Sequence, residues 1–182
     1  MSWMQTYGGR QFWPFDPQVE QVDPRDIAHA LSNICRFGGH CDEFYSVAQH
    51  SLHVSRLLAL AGHDADVQLW GLLHDAAEAY VGDMIRPLKQ NMLIYVKVET
   101  QILAVIMARF GLPAARPDAV SWADNTALAT EARDLLKPPP EPWVTLPEPD
   151  EEIIKPLTHG DARAAFTERL ALLEQIRRRV TA

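Results

Sequence analysis

The chain has 182 residues, 47% of them apolar, and a formal charge of −7. That length and apolar content suit a single domain with a substantial core, and the acidic balance excludes a general nucleic-acid binder, which needs a basic face against phosphates. No run approaches the roughly 20 apolar residues of a membrane span and the N-terminus has no signal-like segment, so the expectation is a cytoplasmic protein with no membrane partner.

Residues 1–22 form an arm rich in aromatic and turn residues, Tyr7-Gly8-Gly9-Arg10 and Phe12-Trp13-Pro14-Phe15, which reads as a strap over the core. Asp23 as N-cap and Pro24 at the first helical position open a helix over about 24–35, with Ile27, Ala30, Leu31 and Ile34 at helical spacing. Arg36-Phe37-Gly38-Gly39-His40 follows, where paired glycines break the helix and free the backbone for close approach to a ligand. Cys35 and Cys41 lack CxxC spacing, which favours reduced thiols over a disulfide framework or zinc knuckle.

Ser46 with Gln49 signals a capping box, and Val47, His50, Val54, Leu57, Leu58 and Ala61 mark an apolar stripe ending at Gly62. His50 lies on the buried side of that stripe, whereas His53 drifts toward the polar side and is left out of the site. Asp64 caps the next helix, which Gly82 ends. A further helix spans about 90–110 with Tyr95, Val98, Ile102, Val105, Ile106 and Phe110 inward, and another starts at Pro117 or Asp118 with Asp124 beside its apolar side. The proline-rich stretch 137–157 cannot be helical and reads as a surface loop, either a lid or a crossing. Thr158 and Asp161 cap a last helix, 158–180, whose Arg177-Arg178-Arg179 complements the helix dipole. No strand alternation survives, so the fold class expected is all-α: one helical bundle of about six main helices.

The stretch Leu72-Leu73-His74-Asp75-Ala76-Ala77-Glu78, closed by Gly82-Asp83, puts four ionisable groups into an apolar helical run. On one helix His74 and Glu78 lie a turn apart and Asp75 and Glu78 are i,i+3 neighbours, so imidazole and carboxylates share a face. Buried carboxylates are costly unless paired or coordinated, and a cation held between His74 and Asp75 answers that cost. Asp124, beside an inward stripe, needs a partner for the same reason.

The order His50, His74-Asp75, Asp124, with the phrase Val47-Ala48-Gln49-His50-Ser51-Leu52, resembles the HD-domain metal-dependent phosphohydrolases, most closely bacterial 5'-deoxynucleotidases and phage enzymes that strip triphosphate from dATP. The resemblance covers about residues 27–136 of an HD core at 24–136 and implies that His50, His74, Asp75 and Asp124 hold one divalent ion: Zn, Mn, Co, Fe or Ni. It further implies that metal-activated hydroxide attacks phosphorus, with Glu78 and Asp83 as catalytic acids or bases. Arg36 matches a phosphate-gripping arginine, and Phe37 stands where that family typically has Trp. Lys89, Arg86 and Trp13 are further candidate substrate contacts, and Phe15 shares with Trp13 a possible base-stacking role. The implied function is hydrolysis of (deoxy)nucleoside phosphates by a homo-oligomer, a dimer or higher, with no nucleic-acid polymer as partner. The alternatives are a phosphodiesterase of a cyclic or oligonucleotide signal and a non-catalytic regulatory module that binds metal and nucleotide.

Overall fold

Asp23 accepts a hydrogen bond from the Arg25 backbone N–H and Pro24 takes the next position, so α1 (Pro24–Asn33) starts where its sequence signals direct it. The computed structural model describes residues 2–141, 143 and 145–180; positions 142 and 144 of the proline-rich loop lie outside the described residues. Among the described residues seven further α-helices follow: α2 (Val47–Leu60), α3 (Ala65–Leu73), α4 (Glu78–Val81), α5 (Arg86–Lys89), α6 (Leu93–Arg109), α7 (Asp118–Leu135) and α8 (His159–Val180). Six are long and two are single turns, so the fold is all-α.

The arm departs from the expectation of no strands. Its Met4–Gln5 (β1) and Gln11–Phe12 (β2) pair antiparallel, with Met4 opposite Phe12. Two-residue strands are too short to show alternation, and Gly9 turns the chain between them at φ 76°. The strap reading holds for Phe12, which is fully buried and stacks on Tyr80 at 3.9 Å between ring centroids.

Two helices bring the site together. In α2, Ser46 accepts from the Gln49 backbone N–H, and in α3, Asp64 accepts from the Val67 N–H, so both registers are fixed at their first turns. A four-residue connection makes them an antiparallel hairpin, and Gly71 lets them approach closely. A Cβ there would stand 2.3 Å from Leu58 Cδ1 and 3.3 Å from Val54 Cγ1. Leu58, Leu69, Leu72, Leu73, Ile102, Ile106 and Phe166 are all fully buried, so α6 and α8 complete a core around this hairpin.

The second half of the proline-rich loop is a crossing that is tied down. Thr130 Oγ1 and Asp134 Oδ2 accept from the Asp150 and Ile154 backbone N–H groups, and the Gln49 side chain bonds Lys155 and Leu157. Arg177 donates to the Phe110 and Gly111 carbonyls, so part of the basic triplet caps the end of α6 as well as sitting in the last turn of α8. No described helix is long and apolar enough to cross a membrane.

Candidate metal centre

The central motif is not one continuous helix. α3 stops at Leu73, residues 74–77 form tight turns, and α4 begins at Glu78. His74 Nδ1 lies 2.7 Å from the Gly71 carbonyl, the acceptor that the Asp75 N–H would use in an uninterrupted α-helix. The bonds that follow are i to i+3, from Ala76 N to Leu73 O and from Glu78 N to Asp75 O. This tighter winding is common where a helix is bent to a functional purpose.

His50 from α2, His74 and Asp124 from α7 form a group whose ligand atoms all lie within 4.8 Å of one another. The Nε2 atoms of His50 and His74 are 3.2 Å apart, and Asp124 Oδ1 lies 3.3 Å from the first and 3.7 Å from the second. Asp75 Oδ2 approaches the same two nitrogens at 3.5 and 3.1 Å. Ligands about 2.0–2.2 Å from a tetrahedral centre stand roughly 3.3–3.6 Å apart, so the spacing suits a small divalent ion. Both histidines are fully buried at their side chains, whereas the two aspartates are each 21% exposed, which leaves access from one side.

The charges around the group agree with that geometry. Burial and Arg36 work against charge on His50, yet Glu131 and Asp124 hold its pKa above the usual imidazole value. Burial also opposes charge on His74, but Asp75 and Asp124 push it up to about 10. Against the same burial, Asp75 is lowered by His74, and Asp124 by hydrogen bonds from His50 and His74. The cluster therefore demands positive charge at its centre, from protons or from a cation.

Arg36, just beyond α1, belongs to the same constellation. Its Nη1 is 3.7 Å from Asp75 Oδ2, while Nε and Nη2 are both 3.0 Å from Glu131 Oε2. Phe37 adopts φ 57°, and its ring lies 5.3 Å from the Arg36 guanidinium carbon, so the strained turn supports the arginine from one face. Glu78 is buried, with Oε2 lacking a hydrogen-bond partner. Burial, reinforced by Asp75 and Asp83, raises its carboxyl well above the usual range. Burial likewise raises Asp83, against the pull of Arg36.

Other expected contacts are less closely joined. Lys89 pairs with Glu99 at 2.7 Å, and its ammonium feels Glu78 and Asp75 at longer range. Arg86 is exposed at the start of α5, and Trp13 is half-buried in the arm beside exposed Phe15; neither Arg86 nor Trp13 bonds to the cluster. His53 turns to Asp150 at 3.2 Å, away from the group. Two groups escaped the sequence reading. Arg116 donates to Asp124 Oδ2 at 2.9 Å, and Glu131, wholly buried, meets His50 Nδ1 at 2.6 Å.

Fold and site together define a helical protein with a two-histidine, one-aspartate group able to hold a metal ion. The chain is 38% identical over 181 residues to the uncharacterized protein YfdR of Escherichia coli (strain K12), covering 98% of this chain and 99% of that protein. It therefore belongs to the YfdR family. It is also 38% identical over 137 residues to the uncharacterized protein RCAP_rcc00048 of Rhodobacter capsulatus, covering 72% of this chain and 70% of that one. No family model matches the chain.

Proposed function

We propose that this protein is a metal-dependent phosphohydrolase of the HD type that acts on (deoxy)nucleoside phosphates. The observation that carries the reading is the convergence of His50, His74, Asp75 and Asp124 on one spot, with the largely but not fully buried guanidinium of Arg36 beside it. Two imidazoles and two carboxylates suit Zn, Mn, Co, Fe or Ni. An ion of that kind supplies a water acidified from about 15.7 toward 7 and neutralises phosphate charge.

The chain's own residues do the rest. The part of the Arg36 fork turned away from Glu131 is placed to hold phosphate oxygens, a geometry that a planar guanidinium meets better than an ammonium. Glu78, its carboxyl raised by burial, Asp75 and Asp83, and Asp83, raised by burial and Asp75, pass a proton between water and the leaving 5'-oxygen. Phe37 beside Arg36 walls the sugar.

The test is a product-resolved assay. Metal-stripped protein is restored separately with Mn, Co, Zn or Mg and given all four dNMPs, all four dNTPs and the matching ribonucleotides. Inorganic phosphate plus nucleoside from monophosphates would make it a 5'-nucleotidase, and intact triphosphate from a dNTP a triphosphohydrolase. No turnover of any of them with metal bound would overturn the proposal.

A further inference from the structure

Glu131 lies seven residues beyond Asp124 on α7, two turns along the same face, and is wholly buried. Its two oxygens have different partners. Oε1 is 2.6 Å from His50 Nδ1, and Oε2 is 3.0 Å from both Nε and Nη2 of Arg36. One carboxylate thus grips a candidate metal ligand with one atom and the candidate phosphate-binding arginine with the other. The three residues come from separate parts of the chain, 95 positions from Arg36 to Glu131 and 81 from His50.

We infer that Glu131 is a positioning residue that sets the metal site and the phosphate grip together; this rests on the function proposed above. A carboxylate that accepts from Nδ1–H fixes the His50 tautomer with its Nε2 lone pair facing the cluster, and it makes that nitrogen a stronger donor to a metal. The same carboxylate holds Arg36 through two of its nitrogens, which turns Nη1 toward Asp75 and the open side of the site. Glu131 therefore ties the order of the two functions: a change that frees Arg36 also loosens His50. A buried ion pair with a purely structural task would contribute to stability alone.

The experiment compares wild-type protein with the isosteric Glu131→Gln and the charge-keeping, shorter Glu131→Asp. It measures cobalt(II) affinity by chelator competition, the cobalt(II) absorption spectrum, the affinity of the cobalt form for inorganic phosphate, and the melting temperature of metal-free protein. The expected result is a loss of about 10- to 100-fold in cobalt affinity, an altered spectrum and weaker phosphate binding. A folded variant that melts lower yet keeps cobalt affinity, spectrum and phosphate binding within twofold of wild type would overturn the inference. Glu131→Asp decides the matter if Glu131→Gln fails to fold. Wild-type protein that takes up no stoichiometric cobalt overturns the metal reading itself, an outcome distinct from a Glu131 effect.

Discussion

His50 Nε2 and His74 Nε2 face each other at 3.2 Å, and in each ring the other nitrogen already has a partner, Glu131 for His50 and the Gly71 carbonyl for His74. Without an ion, protons supply the positive charge between the rings and the two aspartates; a bound cation replaces them and leaves each Nε2 lone pair facing the ion. Metal binding should therefore stabilise the fold. At a free ion concentration 1,000 times its Kd the gain is about 4 kcal/mol, and chelation should return the melting temperature to that of metal-stripped protein. His74→Ala should remove both stoichiometric metal, read by elemental analysis, and the metal-dependent rise in melting temperature. If that variant keeps both, the centre lies elsewhere.

Glu78 carries a cost in the metal-stripped protein. Burial, with Asp75 and Asp83 nearby, raises its folded-state pKa, so its contribution is unfavourable at pH values above the ordinary glutamate range and absent below it. Glu78→Gln should melt higher than wild type at pH 7, with the advantage gone near pH 4. The same variant should keep its metal yet lose turnover by about 10²-fold or more. A higher melting temperature together with full activity would make Glu78 a structural residue.

Much of this was legible in the sequence, and the reason is periodicity. His50 stood on the buried stripe of α2, and Asp124 sat beside an inward stripe where a lone acid has no excuse. The break after Leu73 was not legible, because no Gly or Pro marks it and its cause is a side-chain bond from His74 to Gly71. Glu131 carried a readable signal that was overlooked: it falls at i+4 from Ala127 and i+7 from Asp124, on the inner face of the same helix. Arg116 had none, since it lies in a loop and meets Asp124 through the fold.

The closeness of α2 and α3 rests on Gly71. Alanine is the better helix former by about 1 kcal/mol, yet its methyl group would collide with fully buried Leu58. Gly71→Ala should therefore cost roughly 1–3 kcal/mol in urea unfolding. Adding Leu58→Ala should make the double variant more stable than the sum of the two single losses. Strict additivity would show that the helices shift apart without resistance.

Acid should reach the protein through Asp23. Hydrogen bonds from the Arg25 side chain, outweighing burial, hold its carboxyl down at about 2, and Arg10 lies 3.3 Å away. A carboxyl lowered on folding contributes its full stability above an unfolded value of about 4 and loses it as pH falls through the folded value. Asp23→Asn keeps a capping oxygen and removes the charge, so it should melt below wild type at pH 6 and converge with it by about pH 2. Arg25 is mostly exposed, so added salt should narrow the gap at pH 6 as well. A gap that ignores both pH and salt would assign the effect to the cap alone.

Under the proposed function, Arg36 separates binding from architecture most sharply. Its guanidinium serves Glu131 through Nε and Nη2 and faces Asp75 with Nη1, so the two tasks use different atoms. Burial works against its charge, and Glu131 followed by Asp75 more than restores it, so the side chain stays cationic at any working pH. Arg36→Ala should leave Glu131 buried without that partner, at a cost of roughly 3–5 kcal/mol, and should lower kcat/KM by about 10²-fold or more. Arg36→Lys keeps the positive charge without the fork, and because an ammonium cannot span Glu131 and a phosphate at once, much of the stability should return while KM stays raised. Wild-type KM in a stable Arg36→Lys protein would mean that charge suffices and that the fork is there for Glu131.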